Sequence, residues 1–377
     1  MIYFDSAATT FQKPAAVASA VAEAFHTMSS PGRGGYSAAR NAEETLFACR
    51  EELAEMFGLR DPQRVVFTMN ATHGLNLAIK SLVPKGGKVV ISGYEHNAVT
   101  RPLLSLQANV QTARGVLFEP EEELLAFGAM IQKDTDAVIC TQVSNVFGCV
   151  LPIEEIAALC REREVPLIID ASQGAGILPL DMERLGAAFI AMPGHKGLYG
   201  PQGTGVLLCG SREKVLPLLE GGTGSVSLQQ TMPEFLPDRL EAGTHNVPGI
   251  AGLLAGIRYV QRKGVEGICE KERRLACRAA EGLGKLPGVD VFAKPGLSGQ
   301  TGVVSFRVEE TDCEQIAYSL GQQGIAVRAG LHCAPLAHCS AGTLDSGTVR
   351  LSFSDFNTAD EVDHFLESMC MVLSGES

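Results

Sequence analysis

Six short apolar runs, separated mostly by helical stretches, constrain this chain more than any other feature. They are Val65–Thr68, Lys88–Ser92, Ala137–Thr141, Leu167–Asp170, Ala188–Met192 and Gly205–Cys209. Short apolar runs read as buried strands. Their alternation with helices implies a mostly parallel sheet covered on both faces, the α/β class. Ahead of these runs the start is irregular, with a Ser6-Ala7-Ala8-Thr9-Thr10 cluster. Helical periodicity then covers 14–26, a Gly-rich loop covers 29–36, and a second amphipathic helix is expected over 39–57. Past Asn246-Val247-Pro248-Gly249 the pattern changes. A long helical stretch from Ile250 to about Leu286 leads to an apolar run at 303–308. A helix near 313–323, a strand at 326–328 and a terminal helix from Ala359 follow. This α+β tail reads as a second, smaller domain. The expected division is an N-terminal segment over 1–15 that packs near the small domain, a large domain over 16–246 and a small one over 247–377.

A chain of 377 residues with 45% apolar content can bury cores of that size. No apolar run approaches the length of a membrane helix, and the start, Met1-Ile2-Tyr3-Phe4-Asp5, lacks the basic-then-apolar order of a secretion signal. A formal net charge of −12 repels nucleic acid and anionic membranes, so neither is an expected partner. The eleven cysteines are scattered singly, with no Cys-x-x-Cys. That is the pattern of a reduced cytoplasmic protein rather than a disulfide framework. Most, such as Cys140 and Cys209 inside apolar runs, read as small core hydrophobes.

One lysine stands apart. In Pro193-Gly194-His195-Lys196-Gly197 it follows the end of an apolar run, with a glycine on each side of the His-Lys pair. A strand-end lysine of this kind is easily desolvated, and its neutral amine is then nucleophilic enough for a Schiff base. An ordinary turn lysine is the alternative on these residues alone. Upstream, the run Leu167–Asp170 ends in an acid. A strand-end carboxylate paired with a strand-end lysine is what pyridoxal phosphate needs. The lysine carries the cofactor as an imine, and the acid keeps the pyridine nitrogen protonated so that the ring accepts electrons.

With these residues the chain resembles the fold-type I pyridoxal-phosphate enzymes of the class V aminotransferase group, and within it the cysteine desulfurase and selenocysteine lyase branch. The resemblance implies a large PLP-binding domain, a smaller C-terminal domain and a homodimer. It makes Thr72 and His73 phosphate contacts, in a segment that also reads as a helix N-terminus able to cradle an anion. A Glu is commoner in the family where this chain has His73. The resemblance puts His96 against the pyridine ring and gives it a share in proton movement. Asn145 and Gln173 match contacts to the cofactor's ring oxygen, and His195 matches a phosphate ligand. The family usually has Ser where this chain has Pro193. A Gly-Thr cluster reaching the phosphate across the dimer interface is also implied, either Gly221–Ser225 with Thr223 or Glu241–Asn246.

A second chemical centre lies in Arg328-Ala329-Gly330-Leu331-His332-Cys333-Ala334-Pro335. Cys333 sits in a loop beside a His and near an Arg, and positive neighbours favour the thiolate that attacks sulfur. Crowded, adjacent Cys and His pairs here fit no usual metal spacing, so no metal is expected. The stretch resembles the active-site loop of the short-loop (group II) desulfurases, with Leu331 replacing a common His. Arg350 matches the residue that binds the substrate carboxylate, a contact suited to its planar fork, and Arg328 is a further candidate for it. The expected activity is removal of sulfur, or selenium, from cysteine or selenocysteine, leaving alanine and a persulfide on Cys333 for an acceptor protein. Two rivals stay open. One is a class V aminotransferase or other amino-acid lyase that does not use Cys333. The other is a partner protein that carries persulfide without turnover.

Overall fold

A computed structural model describes residues 1–32, 34–210 and 215–375. The chain opens with a two-residue strand, β1 (Ile2–Tyr3). Seven strands then build one sheet: β2 (Val65–Thr68), β3 (Lys88–Ser92), β4 (Asn109–Ala113), β5 (Ala137–Thr141), β6 (Leu167–Asp170), β7 (Phe189–Pro193) and β8 (Gly205–Cys209). Their order is β2-β8-β7-β6-β5-β3-β4. Neighbours pair parallel except at β8, which runs antiparallel to both β2 and β7.

The central strands are buried along their whole length because successive side chains enter different cores. Ile168, Ile139 and Phe189 face one hydrophobic cluster, while Ile169, Cys140 and Ile190 face the other. Each such aliphatic or aromatic side chain contributes about 1.5–3 kcal/mol by leaving water. Strand β4 has no apolar run to announce it. It is an edge strand, and Asn109, Val110 and Gln111 are exposed.

Four strands make a second, antiparallel sheet, introduced in chain order with a short strand between them. The sheet strands are β9 (Val289–Phe292), β10 (Val303–Val308), β12 (Arg328–Gly330) and β13 (Thr348–Ser352), and the short strand between them is β11 (Ile325–Ala326). The order in that sheet is β12-β13-β10-β9, whereas β11 pairs in parallel with β1. The expected strand at 326–328 therefore divides between two sheets. The expected long helix divides too, at Gly264 (φ 79°), into Val247–Lys263 and Val265–Leu283. The first sends Val247, Ile250, Leu253 and Ile257 into the large core; the second packs Leu275, Ala276, Ala279 and Leu283 into the core of the small sheet. Strands β9 and β13 carry no plain apolar run, since β9 is half-exposed and β13 has an arginine at its middle.

Strands β5, β6 and β7 end, in the C-terminal direction, at Thr141, Asp170 and Pro193, and all three line one cleft. The carboxyl ends of parallel strands are where α/β sheets open crevices for ligands. The small sheet closes the other side with Arg328 and Arg350.

Candidate active site

Asp170 is buried in this cleft, which spans about 790 Å³ with its open mouth included. Its Oδ1 accepts from the Ser172 N–H (2.9 Å) and from the Ser172 hydroxyl. Oδ2 has no hydrogen bond among the described residues. Lys196 is half-buried in the same cleft and forms no ion pair among the described residues. Burial, opposed by Asp170 and reinforced by Arg350 and Arg328, pushes its amine down to about 8. The glycines around it are needed for close packing. A Cβ on Gly194 would stand 2.2 Å from Thr204 Oγ1, and one on Gly197 would stand 2.4 Å from the Ala175 carbonyl oxygen.

His96 caps the helix Asn97–Ser105, its Nδ1 accepting from the Ala98 N–H at 3.0 Å. An acceptor at Nδ1 leaves the ring proton on Nε2. Burial lowers the pKa of the imidazole against the pull of Asp170, so the ring is neutral near pH 7. Behind it Glu95 is wholly buried, accepting from the Ser92 hydroxyl (2.5 Å) and the Thr141 N–H (2.8 Å). Burial pushes that carboxyl up to about 8. It fixes the turn carrying His96 to the end of β5.

The helix Ala71–Leu82 points its N-terminus at the cleft, with Asn70, Ala71 and Thr72 among the lining residues. The Asn70 side chain caps the His73 N–H at 2.9 Å, leaving those of Ala71 and Thr72 free for an anion. Opposite, the His195 ring lies 3.0 Å from Thr9 Oγ1, and its pKa is pushed down to about 4 by burial, Lys196 and Lys13.

The small sheet contributes two arginines from paired positions, Arg328 on β12 opposite Arg350 on β13. The Arg350 side chain is buried, with Nη1 donating to the Asn145 carbonyl (2.9 Å) and Nη2 to Asp5 Oδ1 (2.6 Å). Arg328 has no side-chain partner among the described residues. The loop after Arg328 is strained, with His332 and Cys333 both in the left-handed region (φ 48° and 57°). Each such residue costs about 1–3 kcal/mol. The large domain holds them there: Asn145 Nδ2 donates to the His332 carbonyl and the Asn97 N–H to the Cys333 carbonyl, both at 2.8 Å.

The sequence model of class-V aminotransferases matches residues 2–365. The chain belongs to the class-V aminotransferase family. Among its relatives, a probable cysteine desulfurase of Pyrococcus abyssi is 33% identical over 377 residues, covering 97% of this chain and 92% of its own. A probable cysteine desulfurase of Mycolicibacterium paratuberculosis is also 33% identical over the whole chain, which spans only 56% of that relative's length. The solved apo structure of the cysteine desulfurase from Thermococcus onnurineus is 32% identical, with a TM-score of 0.92. That match covers 99% of this chain and 95% of the other. The class-V fold here is accordingly the fold-type I arrangement, a large mostly parallel sheet with a smaller α+β part.

In this member of the class-V aminotransferase family the cleft gathers ten of the residues singled out in the sequence. Thr72, His96, Asn145, Asp170, Gln173, His195 and Lys196 line it from the large sheet, and Arg328, Cys333 and Arg350 from the small one. His73 and Thr223 lie elsewhere. The His73 ring accepts from the Met69 N–H at 3.3 Å and lines a neighbouring cavity. Thr223 lines a third cavity with Ser225 and Asp238. Pro193 lines the cleft without a hydroxyl to offer. The expectation that His332 supplies positive charge to Cys333 is corrected. His332 is buried, with Nε2 3.2 Å from the Thr348 carbonyl oxygen, and burial together with Arg350, His338 and Arg328 pushes its pKa down to about 2. The cationic side chain left without a partner on that wall is Arg328.

Three residues escaped the sequence reading: Asp5, Ala7 and Glu95. Asp5 pairs with Arg350, and Ala7 lines the cleft while its carbonyl accepts from Gln173 Nε2 at 3.0 Å. The only signal was an acid directly after the apolar Ile2–Phe4. Glu95 had none beyond its place beside His96.

The donor set fits pyridoxal phosphate. An unpaired lysine of lowered pKa, a buried carboxylate with one free oxygen, a neutral imidazole and two free helix N–H groups face one cleft. They match in turn the aldehyde, the ring nitrogen, the ring face and the phosphate. Among the described residues no group of His, Cys, Asp and Glu is placed to hold a metal, and no helix is long and apolar enough to cross a membrane.

Proposed function

We propose that this protein is a pyridoxal-phosphate-dependent cysteine desulfurase, converting L-cysteine to L-alanine and leaving the sulfur as a persulfide on Cys333. The observation that carries the reading is an exposed thiol, Cys333, in the same cleft as Lys196 and Asp170. The scattered, reduced cysteines support a cytoplasmic setting. The reading includes a homodimer, whose second subunit would bring Thr223 or Thr244 to the phosphate, and a protein that accepts the sulfur.

The free N–H groups of Ala71 and Thr72, the Thr72 hydroxyl and His195 would hold the phosphate, and Asp170 Oδ2 the ring N–H. His96 would cover one ring face, with Asn145 and Gln173 at the ring oxygen. When bound, the cofactor supplies an electron sink for negative charge at the substrate Cα. Lys196 Nζ, with its lowered pKa, is neutral often enough near pH 7 to take the Cα proton and return it. Arg328 and Arg350 orient the substrate carboxylate. The Cys333 thiolate attacks the substrate sulfur, so an S–S bond forms as the C–S bond breaks. The C–S electron pair stays with carbon, which takes up a proton to become alanine, and no outside oxidant is required. A selenol leaves more readily than a thiol, so selenocysteine is a second candidate substrate.

The test is product identification. Purified holoenzyme given cysteine and dithiothreitol should release alanine and sulfide in equal amounts. Formation of a keto acid with transfer of the amine, and no sulfide, would replace this reading with the aminotransferase one.

A further inference from the structure

A second groove, of about 710 Å³, opens from the Cys333 end of the active site. It shares Thr72, His96, Ala98 and Cys333 with the active-site cleft, so the two are continuous at the thiol. Its walls are the adjacent helices Ala71–Leu82 and Asn97–Ser105. Thr72, Asn76 and Lys80 come from the first at i, i+4 and i+8, and Asn97, Arg101 and Ser105 come from the second at the same spacing. That spacing puts each trio on one face of its helix. The stripe from Thr72 to Lys80 runs about 12 Å, enough for about four residues of extended chain.

Charge distinguishes this groove. Lys80 and Arg101 are its charged side chains, and neither has a carboxylate partner among the described residues. Elsewhere on the surface Lys88, Arg184, Arg258, Arg278 and Arg307 are each paired with an acid, while Lys85, Lys133 and Lys285 are exposed without one among the described residues. What sets Lys80 and Arg101 apart is that they lie together in a groove that ends at the exposed thiol. The chain as a whole carries −12, and two unpaired cations leading to the exposed thiol set a local positive charge against that balance. Over these distances, within about one Debye length, such a charge steers an anionic partner.

We propose that this groove docks an acidic, cysteine-bearing segment of the protein that accepts sulfur from Cys333. The inference rests on the desulfurase reading and names the partner's chemistry. In the transfer, the acceptor thiolate attacks the outer sulfur of the Cys333 persulfide. A new S–S bond forms to the acceptor, the old one breaks, and Cys333 leaves as thiolate, so no further oxidant or reductant enters. Acidic flanks raise the pKa of an acceptor thiol in solution, and Lys80 and Arg101 offset them in the groove. The acceptor is thus more reactive docked than free.

Two synthetic pentapeptides test this, each with a central cysteine flanked on both sides by a pair of glutamates or a pair of lysines. Persulfide transfer from holoenzyme preloaded with cysteine is followed by mass spectrometry of the peptide. Each rate is normalised to the same peptide's reaction with a small aliphatic disulfide. Wild type should favour the acidic peptide at least tenfold at low salt, a preference that shrinks in high salt. Lys80→Glu combined with Arg101→Glu should reverse it, while alanine formation with dithiothreitol stays at the wild-type rate. Equal rates for the two peptides, or an unchanged preference in the double variant, would overturn the docking proposal. Failure of wild type to make alanine with dithiothreitol would instead sink the desulfurase reading beneath it.

Discussion

Arg50 and Arg350 are both buried arginines with a carboxylate oxygen 2.6 Å from Nη2, and they are built for opposite purposes. Arg50 meets Glu241 with two nitrogens, at 2.6 and 2.9 Å, and lies 4.3 Å over the Phe67 ring. Glu241 also takes the Phe67 N–H and His245 Nε2, each at 2.6 Å. Burial pushes the Glu241 carboxyl up, but Arg50 and His245 outweigh it and hold it below its ordinary value. Both carboxylate oxygens of Glu241 and both terminal nitrogens of Arg50 are engaged. Arg350 meets Asp5 through one nitrogen, its buried Nε has no partner, and the Asp5 side chain is 20% exposed. A buried pair joined through both terminal nitrogens and both carboxylate oxygens is a strut. A pair with open valences beside a cleft can exchange one carboxylate for another.

Removing the strut should give the largest effect on the fold. Arg50→Ala leaves Glu241 buried with only His245 and the Phe67 N–H against its charge, a loss of about 3 kcal/mol in unfolding free energy. Denaturant titration checks the loss, and kcat at a temperature where the variant is folded should match wild type. Arg350→Lys should do the reverse. A compact ammonium cannot reach both the Asn145 carbonyl and a carboxylate. kcat/KM for cysteine should fall by the equivalent of about 2–5 kcal/mol, at least thirtyfold, with the melting temperature nearly unchanged. If Arg50→Ala lowers kcat and Arg350→Lys lowers stability, the contrast is wrong.

Lys196 extends the contrast, since it too is unpaired. With its pKa near 8, the neutral amine grows about tenfold per pH unit below that value and levels off above it. Uptake of pyridoxal phosphate by apo protein, followed by absorbance, should do the same. Uptake that keeps rising to pH 10 would mean an ordinary lysine. The smallest effect belongs to Asp5. Asp5→Asn removes the competitor for Arg350, so KM for cysteine should fall by about 1 kcal/mol, about fivefold, with kcat little changed, and Asp5→Glu should restore it. A higher KM in Asp5→Asn would make Asp5 a support for Arg350 rather than its competitor.

The same distinction explains what could be read in advance. Strands buried on both faces, such as Leu167–Asp170, are legible because their apolar runs are continuous. β4 at the sheet edge and β13 around Arg350 are not, because their pattern is decided by neighbours distant in sequence. Lys196 and Asp170 were legible as chemistry at strand ends. The Asp5–Arg350 pair was not, since 345 residues separate its members and the N-terminus is brought there by the pairing of β1 with β11 and of the segment around Asp5 with Ser352 on β13. His332 misled because adjacency to Cys333 in sequence says nothing of burial.

Most of the cysteines make the central claim testable. Cys140 and Cys209 sit in the large sheet with thiols pushed upward by burial, whereas Cys333 is exposed in a strained loop at the cleft. The decisive measurement is sulfide and protein-bound persulfide from cysteine in Cys333→Ala holoenzyme. The variant should stay yellow and still change its cofactor absorbance when cysteine is added, because Lys196 and Asp170 are untouched. It should form no persulfide and release no sulfide from cysteine. Sulfide release at the wild-type rate would contradict Cys333 as the sulfur carrier and leave this protein a class-V enzyme of another reaction.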